Sequence, residues 1–183
     1  MSVSLCVFEL LLAESVAVQS AALKEEGADE KTHAKVLAKI EAHGYEVGYR
    51  FVERVSEGRA LATDHLEAVK FLCKDVWNEV FGKQIDKLQT NHRGVFVLKD
   101  YAFRWLARVS SHDDALVSAT AARLLQFPAG VLRGALANIG IRATVNAEFS
   151  ALPGCAFNIR IDATPPPRAP LVDASRQDKP PAE

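Results

Sequence analysis

The sequence predicts an α+β domain in which helices pack on a small antiparallel sheet of about four strands, arranged as two hairpins. Before Gly82, apolar residues recur with the 3.6-residue period of helices. Short strand-like runs follow as two pairs, at residues 85–99 and 141–161, and a glycine lies in the turn of each pair. A further helical stretch separates the two pairs. This order is typical of an α+β fold and not of parallel βαβ units.

The helical period predicts five helices. We place them at residues 4–23, 31–43, 45–57, 64–81 and 115–139. Gly44 is expected to end the second helix, because glycine is common just past helix C-termini. Asp64 followed by Glu67 resembles a capping box at the start of the fourth helix. Gly130 and Gly134 weaken the last helix by about 1 kcal/mol each relative to alanine, so they predict close backbone packing there.

The first helix is apolar on almost every side. A surface helix normally keeps one polar face, whereas a helix that is apolar all round is buried on several sides. Two interpretations follow from this pattern. The helix is either the central helix of the core, or it packs on the domain with one side and on a partner with another.

The first hairpin turns at Gly94, which supplies the positive φ that a tight turn needs. Residues 164–183 hold six of the eight prolines, and they have too few large apolar side chains to offset the entropy of ordering. We therefore expect a domain over residues 1–163 and a disordered tail over 164–183. The tail also contains PPPRAP, which is either a weak polyproline II ligand or part of a solubilising tail.

Composition is that of an ordinary soluble globular protein. The 183 residues are 49% hydrophobic and 25% charged, with a net charge of -1. The lysines and arginines form no cluster in the sequence, so nothing indicates a nucleic-acid partner. Glu9 and Glu14 interrupt the apolar start, so we expect neither a cleaved signal peptide nor direct membrane insertion. The three cysteines are far apart and lack the spacing of a metal site, so we expect no metal and no other cofactor. Free thiols are typical of a reducing compartment, which predicts a cytosolic location.

No residue pattern indicates catalysis. Cys73 and His92 are the candidates for a thiol–imidazole pair, but Cys73 lies in an apolar helical stripe where a thiol is inert. Asp75 and Glu79 lie one helical turn apart, and a solvated helix face is the simpler interpretation of this pair. No phosphate-loop, dinucleotide, metalloprotease or hydrolase motif is present. The sequence therefore predicts a protein that is not an enzyme.

Arg133 is the unusual charge, because it lies within the small-residue segment GVLRGAL. A buried charge without a partner would be costly. It therefore either points to the surface, which we favour, or forms an internal ion pair.

One block of the sequence has a specific pattern of residues. It begins with Phe71, Cys73, Lys74 and Asp75 and ends with VFVLKD at residues 95–100. Between them lies a run made of Lys83, Gln84, Asp86, Leu88, Thr90, Asn91, His92 and Gly94. The segments GVLRGAL and TVNAEFSALPGCAFNIRI follow in that order. This ordered set resembles the TRAPP (transport protein particle) small subunits, specifically the subunit-six branch of the Bet-three-like superfamily, which includes the yeast thirty-three-kilodalton subunit.

The resemblance implies a non-catalytic scaffold subunit of the TRAPP tethering and Rab guanine nucleotide exchange complex. Such subunits act in endoplasmic-reticulum-to-Golgi and Golgi vesicle transport, as cytoplasmic proteins that associate peripherally with those membranes. Members form heterodimers with a Bet-three-type subunit through their first two helices, and a homodimer is an alternative for the isolated chain. The expected partner-binding residues are Leu5, Phe8, Leu12, Val16, Leu37 and Ile40.

One position departs from the superfamily. The Bet-three-type subunit carries an acylated cysteine at the end of a Gly-Arg-Cys segment, and the matching residue here is Ala60. Alanine cannot form a thioester, so no acylation is expected at this position. The alternative function is that of a binding module for a small hydrophobic ligand or an acyl chain, held in a channel between the helices and the sheet.

Overall fold

A computed structural model describes residues 3–25, 30–58, 64–91 and 93–162. Most of these residues are helical, and the helices pack on one face of a single sheet. The elements are α1 (Val3–Glu25), α2 (Glu30–Ser56), α3 (His65–Phe71), a π-helical turn (Leu72–Val76), α4 (Trp77–Phe81), β1 (Lys87–Thr90), β2 (Val95–Asp100), a 3-10 turn (Arg104–Leu106), α5 (Asp114–Asn138), β3 (Ala143–Glu148) and β4 (Cys155–Ile161).

The four strands form one antiparallel sheet in the order β1-β2-β4-β3. The two predicted hairpins are β1–β2 and β3–β4, and they join through β2 and β4. Gly94 has a φ of 84°, as the first turn requires. The strands present alternate side chains to the helices; Phe96 and Leu98 of β2 are buried beside Phe157 and Ile159 of β4. The predicted α+β class and its two hairpins are confirmed.

Helices α2 and α5 pack with their backbones in contact through four glycines. A Cβ atom on Gly48 would lie closer than 3.0 Å to the carbonyl oxygen of Val131, and one on Gly134 closer than 3.0 Å to that of Tyr45. Gly44 and Gly130 are equally crowded by the opposite helix. The close packing that the glycines of α5 predicted is confirmed, and α2 contributes a matching pair.

One prediction about this region was wrong, and the two alternatives for Arg133 are each met in part. Gly44 does not end a helix, because α2 continues through it to Ser56 and uses the missing side chain for contact with α5. Arg133 does not simply point to the surface. Its guanidinium donates two hydrogen bonds to the Glu41 carboxylate, with Nη2 and Oε2 2.7 Å apart, and it lies over the Tyr45 ring. The Arg133 side chain is still 39% exposed, so it forms a partly buried ion pair with Glu41, and the hydrogen bonds to Glu41 raise the pKa of Arg133.

The segment predicted as the fourth helix is helical throughout, but a π-helical turn at Leu72–Val76 separates α3 from α4. Asp64 precedes α3 as its N-cap residue, yet its side chain makes no capping hydrogen bond. The half of the predicted capping box that Asp64 would supply is therefore not formed. Gly82 ends α4 in the left-handed conformation, with a φ of 74°.

An aromatic cluster joins these helices to the sheet. Trp77 of α4 is fully buried between Phe81, Phe103 and Phe157, with ring centroids 4.1 to 5.9 Å apart. Aromatic rings at these separations stabilise a core beyond their buried area. The cluster continues through Trp105 to α5, so the 3-10 turn is held against the same core.

A buried carboxylate anchors the end of β2. Asp100 is fully buried; it accepts hydrogen bonds from Trp77 Nε1 at 3.2 Å and from Lys83 Nζ at 2.8 Å. Lys83 also lies 2.8 Å from Asp86, whose Oδ2 accepts a bond from the Tyr101 amide. Partial burial of Lys83 lowers its pKa, but the hydrogen bonds to both aspartates outweigh this and raise it. The bond from Lys83 lowers the pKa of Asp86.

These shifts predict how stability depends on pH. A lowered pKa means that Asp86 stabilises the fold above its unfolded-state pKa of about 4, and this contribution is lost as pH falls through the folded value. A raised pKa means that Lys83 stabilises the fold below about pH 10.4, and this contribution is lost as pH rises through its folded value. Urea unfolding of Asp86→Asn should therefore show a smaller loss of stability on acidification than the unmodified protein.

Glu46→Gln is the control for that experiment, because the exposed carboxylate of Glu46 lies 3.5 Å from Arg50 in a solvated pair that contributes little. Its acid dependence should match that of the unmodified protein. An acid dependence of Asp86→Asn equal to that of this control would contradict the prediction.

By length and composition, α5 is apolar enough to cross a membrane, within the part of the chain that the structure describes. Half of its most apolar window is buried inside the domain, where α5 packs on α2 and β3. A core helix of a soluble domain passes the same test. Ala60, His92 and the predicted tail at 164–183 lie outside the described residues, so the domain boundary stays a prediction.

Candidate partner-binding surface

The expected partner-binding residues occupy two kinds of position. Leu12, Val16 and Ile40 are buried in the hydrophobic core, so they hold α1 on the body of the domain. Leu37 is half-buried. The side chains of Leu5 and Phe8 lie outside the described part of the chain. The assignment of these six residues to a partner stays a prediction.

The side of α1 that points away from the core is also apolar. Leu10, Leu11 and Val18 are 60%, 64% and 62% exposed. At about 100° per residue, they fall within one sector of roughly 120°, opposite Leu12 and Val16. We call this sector the outer face of α1; it consists of Leu10, Leu11, Glu14, Ala17, Val18 and Ala21, all exposed. Glu14 lies in the middle of this sector, and the other five residues are apolar. Apolar side chains grouped on one exposed face mark an interaction site more often than isolated ones do.

A groove lies beside this face, between α1, the segment after the 3-10 turn, and the first half of α5. Its volume is about 370 Å³. Its lining is mostly apolar, and Leu10 belongs both to the groove and to the outer face of α1. We call it the α1–α5 groove; its apolar lining includes Leu10, Leu12, Trp105, Val109, Leu116 and Leu124.

Three charged residues line the groove: Glu9, Arg104 and Arg108. The Glu9 side chain is only 8% exposed, and its carboxylate lies 2.5 Å from Arg104 Nε and 3.6 Å from Arg108 Nη2. This contact is an ion pair, and neither Arg104 Nε nor Glu9 Oε1 has a hydrogen-bond partner within the described residues. Arg104 Nη2 is buried and hydrogen-bonds to no group of the described residues. The lining therefore carries one more positive charge than negative.

The residues considered for catalysis have structural roles. Burial raises the pKa of the Cys73 thiol to about 12 and also raises that of Cys155, so neither forms a thiolate near neutral pH. Glu79 is exposed and pairs with Arg54 at 3.1 Å. Asp75 lies on the π-helical turn and is half-buried. Within the described residues, no three His, Cys, Asp or Glu side chains form a metal-binding group.

The sequence pointed to the first helix but not to the groove. The groove is lined by Arg104 of the 3-10 turn, Arg108 of the following loop and Leu116 of the first turn of α5. No periodic pattern links these residues to α1. The available signal was weak: two arginines four residues apart follow a strand and flank an apolar turn.

The fold matches a solved structure of a trafficking complex subunit. A trafficking protein particle complex subunit 3 from Naegleria fowleri, covalently bound to palmitic acid, aligns with a TM-score of 0.67. The alignment covers 87% of this chain and 98% of that one, at 14% sequence identity. At this identity the likeness defines the class of fold, which is that of TRAPP small subunits.

Sequence comparisons place the chain within that class. The model of the transport protein particle (TRAPP) component family matches residues 8–162. Human trafficking protein particle complex subunit 6B is 41% identical over 132 residues, which are 72% of this chain and 82% of the relative. Bovine subunit 6A is 39% identical over 156 residues, 85% of this chain and 95% of the relative. The chain belongs to the TRAPP component family, in its subunit-six branch.

Proposed function

We propose that the chain is a non-catalytic scaffold subunit of the TRAPP tethering and Rab guanine nucleotide exchange complex. Membership in the subunit-six branch supports a place among the other TRAPP subunits. The raised thiol pKa values and the structural roles of the buried charges support a protein that assembles and does not catalyse. The same membership supports a role in endoplasmic-reticulum-to-Golgi and Golgi vesicle transport. The protein would act there from the cytoplasmic side of the membranes.

The outer face of α1 is the observation that carries this proposal. Leu11 and Val18 each leave more than half of their surface in water although the opposite side of the helix is already packed. Burying such side chains contributes roughly 25 cal/mol for each Å² removed from water. A Bet-three-type subunit that covers this face would form the heterodimer, and two copies of this chain could use the same face when isolated.

The test is a single charge on the outer face. Leu11→Asp should abolish co-purification with a co-expressed Bet-three-type subunit, because an aspartate would be desolvated in the interface without a partner. The domain itself should keep its melting temperature, since Leu11 does not belong to the core. Affinity capture followed by size-exclusion chromatography measures the complex.

Tyr101→Asp is the matched control, because Tyr101 is similarly exposed but directly follows β2 and belongs to neither of the first two helices. It should bind like the unmodified chain. Full retention of the heterodimer by Leu11→Asp would move the interface away from this face.

The alternative is a binding module for a small hydrophobic ligand or an acyl chain. The α1–α5 groove favours it, since its volume of about 370 Å³ falls in the range of small-molecule pockets. The palmitic acid bound to the Naegleria subunit supports an acyl chain as the kind of guest. Ala60 at the superfamily's cysteine position argues against a covalent one.

A further inference from the structure

β3 forms one edge of the four-stranded sheet, and no described element pairs with its outer side. Its six residues pair with β4 in consecutive order, without a bulge. Edge strands are usually protected from other chains by lysine, proline, a bulge or a very short length. β1 at the other edge has four residues and begins with Lys87, whereas β3 has six residues and neither lysine nor proline. The outer edge of β3 is therefore open to a further strand.

The side chains of β3 alternate between a half-buried row and an exposed row. The half-buried row consists of Ala143, Val145 and Ala147, which pack against the hydrophobic core. The exposed row has a charge at each end, because Arg142 directly precedes β3 and Glu148 is its last residue. Neither charged side chain forms an ion pair within the described part of the chain. Both charges are therefore available to a strand that pairs with this edge.

The sequence of β3 is complementary to a second copy of itself. Directly opposite residues of an antiparallel ladder lie on the same face of the sheet, so two copies of one strand pair about a shared central residue. With Val145 at the centre, Arg142 of each copy lies opposite Glu148 of the second copy. Opposite charges facing each other across two strands stabilise the pairing, and like charges destabilise it. Centring on Thr144 or Asn146 places neither charge opposite its complement, so the charges favour one register.

We propose that two copies of this chain join edge to edge through β3, which turns two four-stranded sheets into one antiparallel sheet of eight strands. The two-fold axis of such a pairing is perpendicular to the sheet, so the helices of both copies lie on the same face. The half-buried row of each copy then contacts that of the other. The outer face of α1 contains no residue of β3, so the pairing does not depend on the proposed heterodimer.

The experiment is sedimentation velocity of the purified full-length chain over a range of concentrations. Leu11→Asp is present in every sample, so that the outer face of α1 contributes no contact between copies. Arg142→Glu and Glu148→Arg each place like charges opposite one another at both ends of the paired strands. We expect each change to raise the dissociation constant of the dimer by about tenfold or more. Both side chains are exposed, so folding should be unaffected.

An equimolar mixture of the two variants should restore the dimer, because one copy then carries acidic residues at both positions and the other carries basic residues at both. Lys87→Glu is the control, since it reverses an exposed charge on β1 at the other edge of the sheet; it should dimerise like the unmodified chain. A chain that stays monomeric, a dimer that neither variant weakens, or a mixture that does not recover would each overturn the proposal. Capture of a Bet-three-type subunit tests the proposed function separately.

Discussion

Replacing Gly48 by alanine is expected to destabilise the domain by about 3 kcal/mol or more, because the new methyl group has no space between α2 and α5. It would lie closer than 3.0 Å to the backbone of Val131, and a backbone atom cannot rotate away as a flexible side chain can. The helices would have to separate, and the contacts of the other three glycines would be lost with it. Urea unfolding followed by circular dichroism measures the change.

The sign of this effect distinguishes close packing from helix propensity. In an isolated helix, alanine is more favourable than glycine by about 1 kcal/mol. A stabilised Gly48→Ala protein would therefore show that the helices are not in close contact. Gly140→Ala is the control, because Gly140 has open space around its Cβ position but a φ of +90°. It should cost only the strain of a left-handed residue, about 1–2 kcal/mol.

Replacing Asp100 by alanine is expected to destabilise the domain by about 3 kcal/mol. The change leaves the buried indole N–H of Trp77 and the amide of Ala102 without their acceptor. Lys83 keeps its contact with Asp86 and is partly exposed, so its charge is not stranded. The cost therefore arises mainly from the buried indole donor and from the lost charge-assisted bond, while the amide of Ala102 is only partly buried and adds less. Urea unfolding at neutral pH measures it.

Asp86→Ala is the matched control, since it removes the other carboxylate that contacts Lys83 from a position that is one-third exposed. It should cost less than about 1 kcal/mol, as solvated ion pairs do. Equal losses for the two variants would mean that burial of Asp100 adds nothing to its contribution.

Both predictions concern contacts that position the candidate interface. The glycine contact fixes α5 against α2, and α5 forms one wall of the α1–α5 groove. The bonds of Asp100 hold the end of β2, from which the chain continues to the 3-10 turn and Arg104. A scaffold subunit needs such rigidity, because binding surfaces that are already in place lose less entropy on assembly.

Local patterns predicted the fold well where one feature controls one element. The period of apolar residues predicted the long helices, and Gly94 predicted the first hairpin turn. They failed where contact with a residue far away in the chain determines the local structure. The neighbours of Gly44 indicate a helix end, but α5 lies against it and the helix continues. Asp64 and Glu67 have the spacing of a capping box, but the capping bond is absent.

Some features of the candidate site were likewise predictable from local sequence patterns, and others were not. That α1 is apolar on almost every side is visible in the sequence, and so are the two interpretations of it, a central core helix or a helix with a second packing partner. Which side packs inward is not visible, because the pattern is similar on both sides. The groove depends on Arg104, Arg108 and Leu116 meeting α1, although they lie about a hundred residues further along the chain.

By itself, the sequence determined the α+β class, the two hairpins, the family and the lack of a catalytic motif, because these depend on local periodicity and on ordered residue identities. Only the tertiary structure decided that Arg133 pairs with Glu41, that four glycines form one helix contact, and that Leu11 and Val18 face outward. Each of these depends on the distance between residues far apart in the chain. Those distances are set by packing of the whole domain, which no local pattern encodes.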